Sequence, residues 1–521
     1  MTINELINEA YQRIEMGEIE ESLKILFNIE QLEINEVDKA YLSSGLYIDI
    51  GYIKKNYNLI NKGIKLLEKH LEVLKLRGEL YQSVFYNLGN GYISLYNLNK
   101  LDNSYYGFMN KSTELNKAME YYKESLESKI KDDNIVVQTY VNFANALDLT
   151  GRSIEAIEFY DKALSINPNY GMGIANKGIA IKYYSRLMND KRSDYIMKGY
   201  MLIEEGVKRG VDEYSKKVFV RYMKEIEDQV DITSYEYKCN NELENIYEDL
   251  TDRKEDIYKK FCIENNIYLN LCDNCTKCTY SIHDNIEIRK MITSVDTPIH
   301  ESSYIRLSSF LNEIKQNFVA ARFLLFEGYF QDGKLDYVDE NVLIVNTLNY
   351  VENNVYIQLL KFAFKNMYDI LDKIAIFINE YLQLGKNEKR VDFNNVWYEN
   401  GDRSKQKIHN RIIATKNFDI NELFNISLGL SSDIEYKELR EIRHALTHRY
   451  LNIYWMGENS IENMSKECLL ENAIKITKIV KNSIIYLMSF IDLEEEKKLN
   501  NIECHIPTIQ TSYIDDELKN I

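Results

Sequence analysis

Proline is nearly absent: Pro168, Pro298 and Pro507 are the only 3 in 521 residues. With so few breakers, periodic segments run on uninterrupted, which predicts a helix-rich fold. Basic residues are also in short supply, 64 Lys and Arg against 81 Asp and Glu, for a formal net charge of −17. That balance excludes a general nucleic-acid coat, whose affinity comes from basic surface, and leaves room only for a short, local contact with RNA. The 7 cysteines are too few, in a chain this long, for a disulfide framework. No apolar run is long enough for a bilayer; the most apolar, Ile484 to Ile491, is broken by Ser489. The stretch Met1 to Ala10 has neither a basic region nor an apolar core, so no secretory leader is expected. These absences together predict a cytoplasmic protein with no membrane segment.

What the chain does have is 45% hydrophobic and 28% charged residues, and length for two or three domains. Its 41 tyrosines read as half-buried packing residues with wet hydroxyls. Residues 1–210 carry a repeat. The clearest unit, Val137 to Asn169, has Tyr140, Phe143, Ala144 and Leu147 on a first helix, and Gly151 at the turn. Ala156, Tyr160 and Ala163 follow on a second helix, and Pro168 stops it. Ala144 and Ala156 let the helices cross closely while the large residues fill the gaps between units. The next first helix comes 34 residues on, with Ile174, Gly178 and Ile181 in the matching places. Upstream, Phe85, Leu88, Gly89 and Tyr92 pair with Ala118, Tyr122 and Ser125, and Tyr41, Gly45 and Ile48 with Gly63 and Leu67. Leu6, Ala10 and Gly17 with Ser22 and Leu26 suggest a first pair, and the longest insertion lies near Asn103 to Glu114. The pattern resembles the tetratricopeptide repeat, in about five degenerate units. That resemblance implies a superhelix whose concave face holds a peptide or protein partner, or one that serves as a scaffold for dimerisation.

Residues 211–255, charged and tyrosine-rich, read as a helical connector, and 256–498 as an antiparallel helical bundle followed by a tail at 499–521. The expected long helices are Ser302 to Phe330, Val355 to Leu384, Glu435 to Tyr454, and Cys468 to about Leu493, where the charged run Glu494 to Lys498 ends the last.

The third of these carries the chemistry. Leu439, Ile442 and Leu446 recur at helical spacing and define its buried side. Arg443 precedes His448 by five residues, about 500° of helical turn, so the two sit roughly 140° apart around the axis. His444 and His448, at i and i+4, share a face. Histidine, with an ordinary pKa of about 6.5, takes and gives protons at neutral pH. Arginine is a permanent cation whose planar fork matches phosphate oxygens. The set is suited to activating a ribose 2′-hydroxyl and stabilising a phosphorane without metal. Asp372, on the preceding helix, is a candidate to orient the arginine or a histidine.

Arg443-His-Ala-Leu-Thr-His448 resembles the R-x4-6-H signature of the HEPN superfamily (higher eukaryotes and prokaryotes nucleotide-binding domains), with His444 at the usual polar position. Upstream, Tyr258-Lys-Lys-Phe-Cys-Ile-Glu-Asn-Asn-Ile-Tyr-Leu-Asn270 resembles the leading segment of the branch fused to tetratricopeptide repeats. The resemblance implies a metal-independent endoribonuclease acting as a dimer, with catalytic Arg443, His444 and His448 and products ending in 2′,3′-cyclic phosphate and 5′-hydroxyl. It also implies a toxin or antiphage setting. Other members have lost activity, so the alternative is a non-catalytic regulator whose repeats bind a peptide or protein and whose bundle dimerises or holds a nucleotide.

Two further clusters stand out. Cys272, Cys275 and Cys278 with His283 are acceptable zinc ligands, but their spacing lacks the two separated pairs of most structural zinc sites. An iron–sulfur cluster needs a fourth thiolate, from Cys262 or Cys239. Reduced thiols in a cytosolic loop are the favoured reading, and no cofactor is expected. Arg403, Lys405, Lys407 and Arg411 form a basic island that, with Arg449, is the candidate contact for RNA phosphates; the alternative is a solvated loop or a helix C-terminal charge cluster. Trp397 and Tyr398 are either base-stacking platforms or packing anchors, with the latter favoured.

Overall fold

A computed structural model describes residues 3–99, 113–232, 250–271, 279–288, 291–292, 303–399, 407–431, 436–455, 464–501, 514 and 516–520. The N-terminal part is a row of helix hairpins. They are α1 (Ile3–Glu15) with α2 (Ile19–Glu30), and α3 (Glu36–Ile53) with α4 (Tyr57–Lys69), the latter followed by a short α5 (Leu71–Lys75). Next come α6 (Gly78–Asn99) with α7 (Thr113–Leu126), α8 (Asp133–Thr150) with α9 (Ser153–Ile166), and α10 (Gly171–Tyr184) with α11 (Arg192–Arg209). A further helix, α12 (Glu213–Glu227), packs on α11.

Local chemistry sets the boundaries. The Asn35 side chain accepts from the Val37 amide at 2.8 Å and Asp132 from Asn134 at 2.8 Å, satisfying first-turn donors of α3 and α8. Gly151 ends α8 with φ +91, the left-handed region where glycine carries no penalty. Ala144 and Ala156 are both fully buried, as the close crossing of α8 on α9 requires. The first helices also touch one another, α3 on α6 and α6 on α8, so one face of each lines a common inner wall.

The C-terminal part begins with α13 (Lys254–Glu264). Its bundle comprises α14 (Ser303–Phe330), α15 (Val355–Tyr381), a short α16 (Asn410–Thr415), α17 (Phe418–Ser431), α18 (Lys437–His448) and α19 (Lys466–Asn500). α14 packs along α15, and α19 lies against α14, α15 and α17. The only strands among the described residues are the two-residue β1 (Ile453–Tyr454) and β2 (Met464–Ser465), paired in parallel. The fold is all-α, with an N-terminal helical region consistent with repeats ahead of the bundle. No helix among the described residues is long and apolar enough to cross a membrane.

The resemblance-bearing segment before the bundle folds onto α14. Buried Arg322 pairs with Asp284 at 2.7 Å, donates to the Ile267 carbonyl at 3.0 Å and to the Tyr258 hydroxyl at 2.8 Å, and lies over the Tyr268 ring at 4.7 Å. Cys262 is buried beside it, and burial pushes its thiol up to about 12. Cys239 lies outside the described residues.

Three helix expectations need correction. α18 stops at His448, short of Tyr454, because the next residues turn extended: Leu451 and Ile453 bury alternately and Tyr454 bridges to Val351. α19 runs through Glu494–Lys498 rather than ending there. Glu495 is buried and accepts from the Ile292 amide and the Tyr381 hydroxyl, both at 2.6 Å, so this charged run is tied into the bundle. α17 was not anticipated.

That unanticipated helix lies in the seam between the two halves. Arg152, at the α8–α9 turn, makes two 2.7 Å bonds to Glu155 and donates to the hydroxyl of Tyr436, the N-cap residue of α18. The Tyr486 hydroxyl, from α19, accepts from the Ile154 and Glu155 amides at 3.1 and 3.3 Å, capping α9 from the other half of the molecule. Tyr184 donates to Glu422 of α17 at 2.7 Å, and Arg186 pairs with Asp419 at 3.0 Å. Both carboxylates are fully buried, and burial raises both, Glu422 well above its ordinary range.

Candidate active site

α18 presents two sides. Leu439, Ile442 and Ala445 are buried against α15 and α17, while His444 and His448 are exposed and Arg443 is partly so. The histidine rings lie side by side, centroids 5.2 Å apart and tilted by 55°, as the i, i+4 spacing requires. Neither ring has a hydrogen-bond partner among the described residues.

Arg443 reaches away from them. Its Nη2 pairs with Asp372 Oδ2 on α15 at 3.2 Å, and the guanidinium lies 5.1 Å over the Tyr368 ring. The Arg443 side chain keeps 36% of its exposure, so its other N–H donors stay open to an incoming ligand. Asp372 is itself held: the Phe393 amide donates to its second oxygen at 3.0 Å. Burial raises the Asp372 carboxyl, opposed by the Phe393 bond and the Arg443 charge. The arrangement is a cation clamped from below, with a fixed direction and a free outer edge.

The suggested role of Asp372 as a partner of the arginine thus has a geometric basis. Tyr368 and Asp369 escaped the sequence reading. Their signal was available, since they sit one turn before Asp372 on the same side of α15, and the Asp369 charge acts on Arg443's surroundings. Arg449 follows the last turn of α18 and is exposed, as are Tyr450 at 82% and Trp455 at 67%.

The basic island is placed elsewhere. Arg411 donates to the carbonyls of Leu382 (3.1 Å) and Gln383, capping the end of α15. That end is roughly 15 Å along the helix from Asp372, at 1.5 Å per residue. Lys407 is exposed and pairs with Glu399 at 2.7 Å. Arg403 and Lys405 lie outside the described residues. Trp397 and Tyr398 are buried, with the Trp397 indole donating to the Phe393 carbonyl at 2.6 Å; they are packing anchors and offer no face to a base. Of the cysteine cluster, Cys272, Cys275 and Cys278 lie outside the described residues, and His283 is exposed on a turn.

Residues 299–494 match the family model described as LA2681-like HEPN. The match runs from α14 into α19 and contains every group of the Arg443 site, so residues 299–494 form a HEPN-superfamily domain. HEPN domains are typically ribonucleases, which puts the domain in a ribonuclease-type family. A comparison with curated proteins finds no match.

Proposed function

We propose that the protein is a metal-independent endoribonuclease effector, of the toxin or antiphage-defence kind, in which α18 presents Arg443, His444 and His448 to the RNA backbone. One imidazole takes the proton from a ribose 2′-hydroxyl, and the 2′-oxygen forms a bond to phosphorus. The bond from phosphorus to the 5′-oxygen breaks, and that oxygen receives a proton from a second imidazole. The products are a 2′,3′-cyclic phosphate and a 5′-hydroxyl. Arg443, held by Asp372, meets the charge on the non-bridging oxygens. His448 is the principal proton-transfer group, and His444 orients or shares in the transfer. Arg449 and the island residues Arg403, Lys405, Lys407 and Arg411 hold flanking phosphates.

The observation that carries this reading is the openness of the three side chains, with the guanidinium pre-set and the imidazoles without a hydrogen-bond partner among the described residues. In-line displacement puts attacking and leaving oxygens on opposite sides of phosphorus, whereas His444 and His448 lie on one face of one helix. A homodimer that faces two α18 helices across a cleft supplies the opposing histidine. A strip of apolar surface on the loop tied to the segment after α18 supports such a dimer. Leu343 is fully exposed, and Val345, Leu348 and Tyr350 are 76–82% exposed. The 331–354 loop carrying them is tied to Trp455 by the Tyr350 carbonyl at 3.1 Å and to Ile453 by the Glu352 amide at 2.7 Å. Monomers seldom leave such a strip uncovered.

The test is incubation of total RNA with the protein, with and without EDTA, beside a His448→Ala variant. EDTA-resistant cleavage lost in the variant is the expected result. No cleavage by either protein, with lysate from phage-infected cells supplied as the source of a trigger, would favour the non-catalytic regulator.

A further inference from the structure

The segment that follows α18 is fixed to the bundle yet leaves its largest rings bare. Leu451 and Ile453 are buried, and the Lys361 ammonium on α15 donates to the Leu451 carbonyl at 2.6 Å. The Glu352 amide donates to the Ile453 carbonyl at 2.7 Å, and the Trp455 amide to the Tyr350 carbonyl at 3.1 Å. On this anchored backbone Tyr450 keeps 82% of its exposure and Trp455 67%. Tyr450 is the most exposed aromatic side chain among the described residues. Rings this bare leave apolar area in water, and a fixed backbone beneath them means that a ligand covering them has little chain to order.

The same face carries cations that the protein leaves unengaged. Lys361, Lys365, Tyr368 and Asp372 fall at i, i+4, i+7 and i+11 of α15, one stripe along the helix. One end of the stripe, Tyr368 and Asp372, holds Arg443, and the other, Lys361, holds Leu451. Lys365 lies between them, about 6 Å along the axis from Lys361 and about 4.5 Å from Tyr368. Lys365 and Arg449 are both exposed, and neither has a hydrogen bond or ion pair among the described residues. Asp369, the acid beside them on α15, stands in the fields of Lys365, Arg443 and Lys373 together. The basic island differs: Lys407 pairs with Glu399, and Arg411 is engaged by the carbonyls at the far end of α15. In a chain of net charge −17, open rings interleaved with free cations are the complement of a strand that alternates phosphates with flat bases. The apolar strip from Leu343 to Tyr350, by contrast, contains no charged residue.

We infer that Tyr450 and Trp455 form a base-stacking subsite beside the cut, holding unpaired bases that flank the scissile phosphate, with Arg449 and Lys365 on the adjoining phosphates. The strand then leaves Arg443 toward the start of α15, the end opposite the basic island. Bases in a duplex are already stacked on one another and cannot reach these rings, so the hold on RNA depends on free bases as well as on backbone. The inference rests on the proposal that α18 meets RNA.

The chain has 2 tryptophans, and Trp397 is buried, so Trp455 reports contact at the surface. The full chain, carrying His448→Ala so that RNA stays intact, is titrated with random-sequence RNA dodecanucleotides and with an abasic dodecanucleotide that has the same phosphates and no bases. Tryptophan emission should be quenched by the RNA and little changed by the abasic strand. Affinity, read from the anisotropy of end-labelled RNA, should fall about five- to a hundredfold in Trp455→Ala and in Tyr450→Ala, the contribution of one base–aromatic stack. Trp455→Phe keeps a flat ring and should stay within about threefold of the parent. Lys365→Ala should weaken RNA and abasic strand alike, because its contact is to phosphate. No quenching by RNA, equal quenching by both strands, or unchanged affinity in both alanine variants would overturn the subsite. So would emission that shifts with protein concentration before RNA is added, which would assign this face to a second copy of the chain. The expected quenching and losses in a protein that cuts no RNA would support the subsite and count against the nuclease reading alone; cleavage without them would do the reverse.

Discussion

Replacing Tyr486 by Phe removes one oxygen from the seam between the halves and leaves the ring in place. That oxygen is fully buried and accepts from both the Ile154 and Glu155 amides, at 3.1 and 3.3 Å. The first turn of α9 has no side-chain cap of its own, so both donors become orphans in a dry site. Leaving buried donors unsatisfied costs about 2–3 kcal/mol here, and the hydroxyl makes no other hydrogen bond among the described residues that would offset it. At 1.4 kcal/mol per factor of ten, these two amides should exchange with solvent deuterium roughly 30- to 150-fold faster. Hydrogen-exchange mass spectrometry resolves this in peptides that cover the start of α9. Peptides from α4, far from the seam, provide the internal control. Acceleration at α9 with α4 unchanged is the expected outcome. Exchange at α9 within threefold of wild type, or equal acceleration of α4, would show that the hydroxyl does not cap this helix across the seam.

Other substitutions test other joints of the structure. Asp372→Asn keeps the shape but loses the charge that holds Arg443; kcat for RNA should fall about ten- to a hundredfold with KM little changed, and Arg443→Lys should not substitute for the intact pair. Asp49 of α3 has no hydrogen bond or ion pair among the described residues, and Asp49→Asn tests what its burial costs. The native carboxyl, raised to about 6 from 3.8, holds its proton more tightly than the unfolded one, so ionisation costs stability as pH rises through that window. The variant should be more stable than wild type by about 1–3 kcal/mol at pH 7 and indistinguishable below about pH 4, as read by urea unfolding at both values. Gly151→Ala puts a methyl group 2.7 Å from Glu422 Cγ on a backbone at φ +91, and should lower the urea midpoint by an amount equivalent to about 1–3 kcal/mol.

Periodicity made much of this architecture legible. α14 and α15 carry apolar stripes long enough to be read directly, and the α8–α9 unit announces itself through Ala144, Gly151, Ala156 and Pro168. The His444–His448 neighbourhood follows from helical spacing alone. What the local pattern could not hold were pairings across the chain. Asp372 and Arg443 are 71 positions apart, and Arg152 and Tyr436 are 284 apart. α17 was illegible for a related reason: Asp419, Asn421 and Glu422 look like a solvated face in sequence but are buried, because Tyr184, Arg186 and the Thr150 carbonyl come to meet them. The end of α18 was misread because Tyr450 and Ile453 continue a helical spacing that strand pairing overrides.

The measurement that bears most directly on the central claim is the chemistry at the cut ends. RNA cleaved by the protein in EDTA is ligated with an enzyme specific for 2′,3′-cyclic phosphate, beside the same RNA carrying 2′-O-methyl groups throughout and beside His448→Ala. The account predicts cyclic-phosphate ends from the unmodified RNA, and no cleavage in the other two reactions. Cleavage of the methylated RNA, or full activity of His448→Ala, would contradict it.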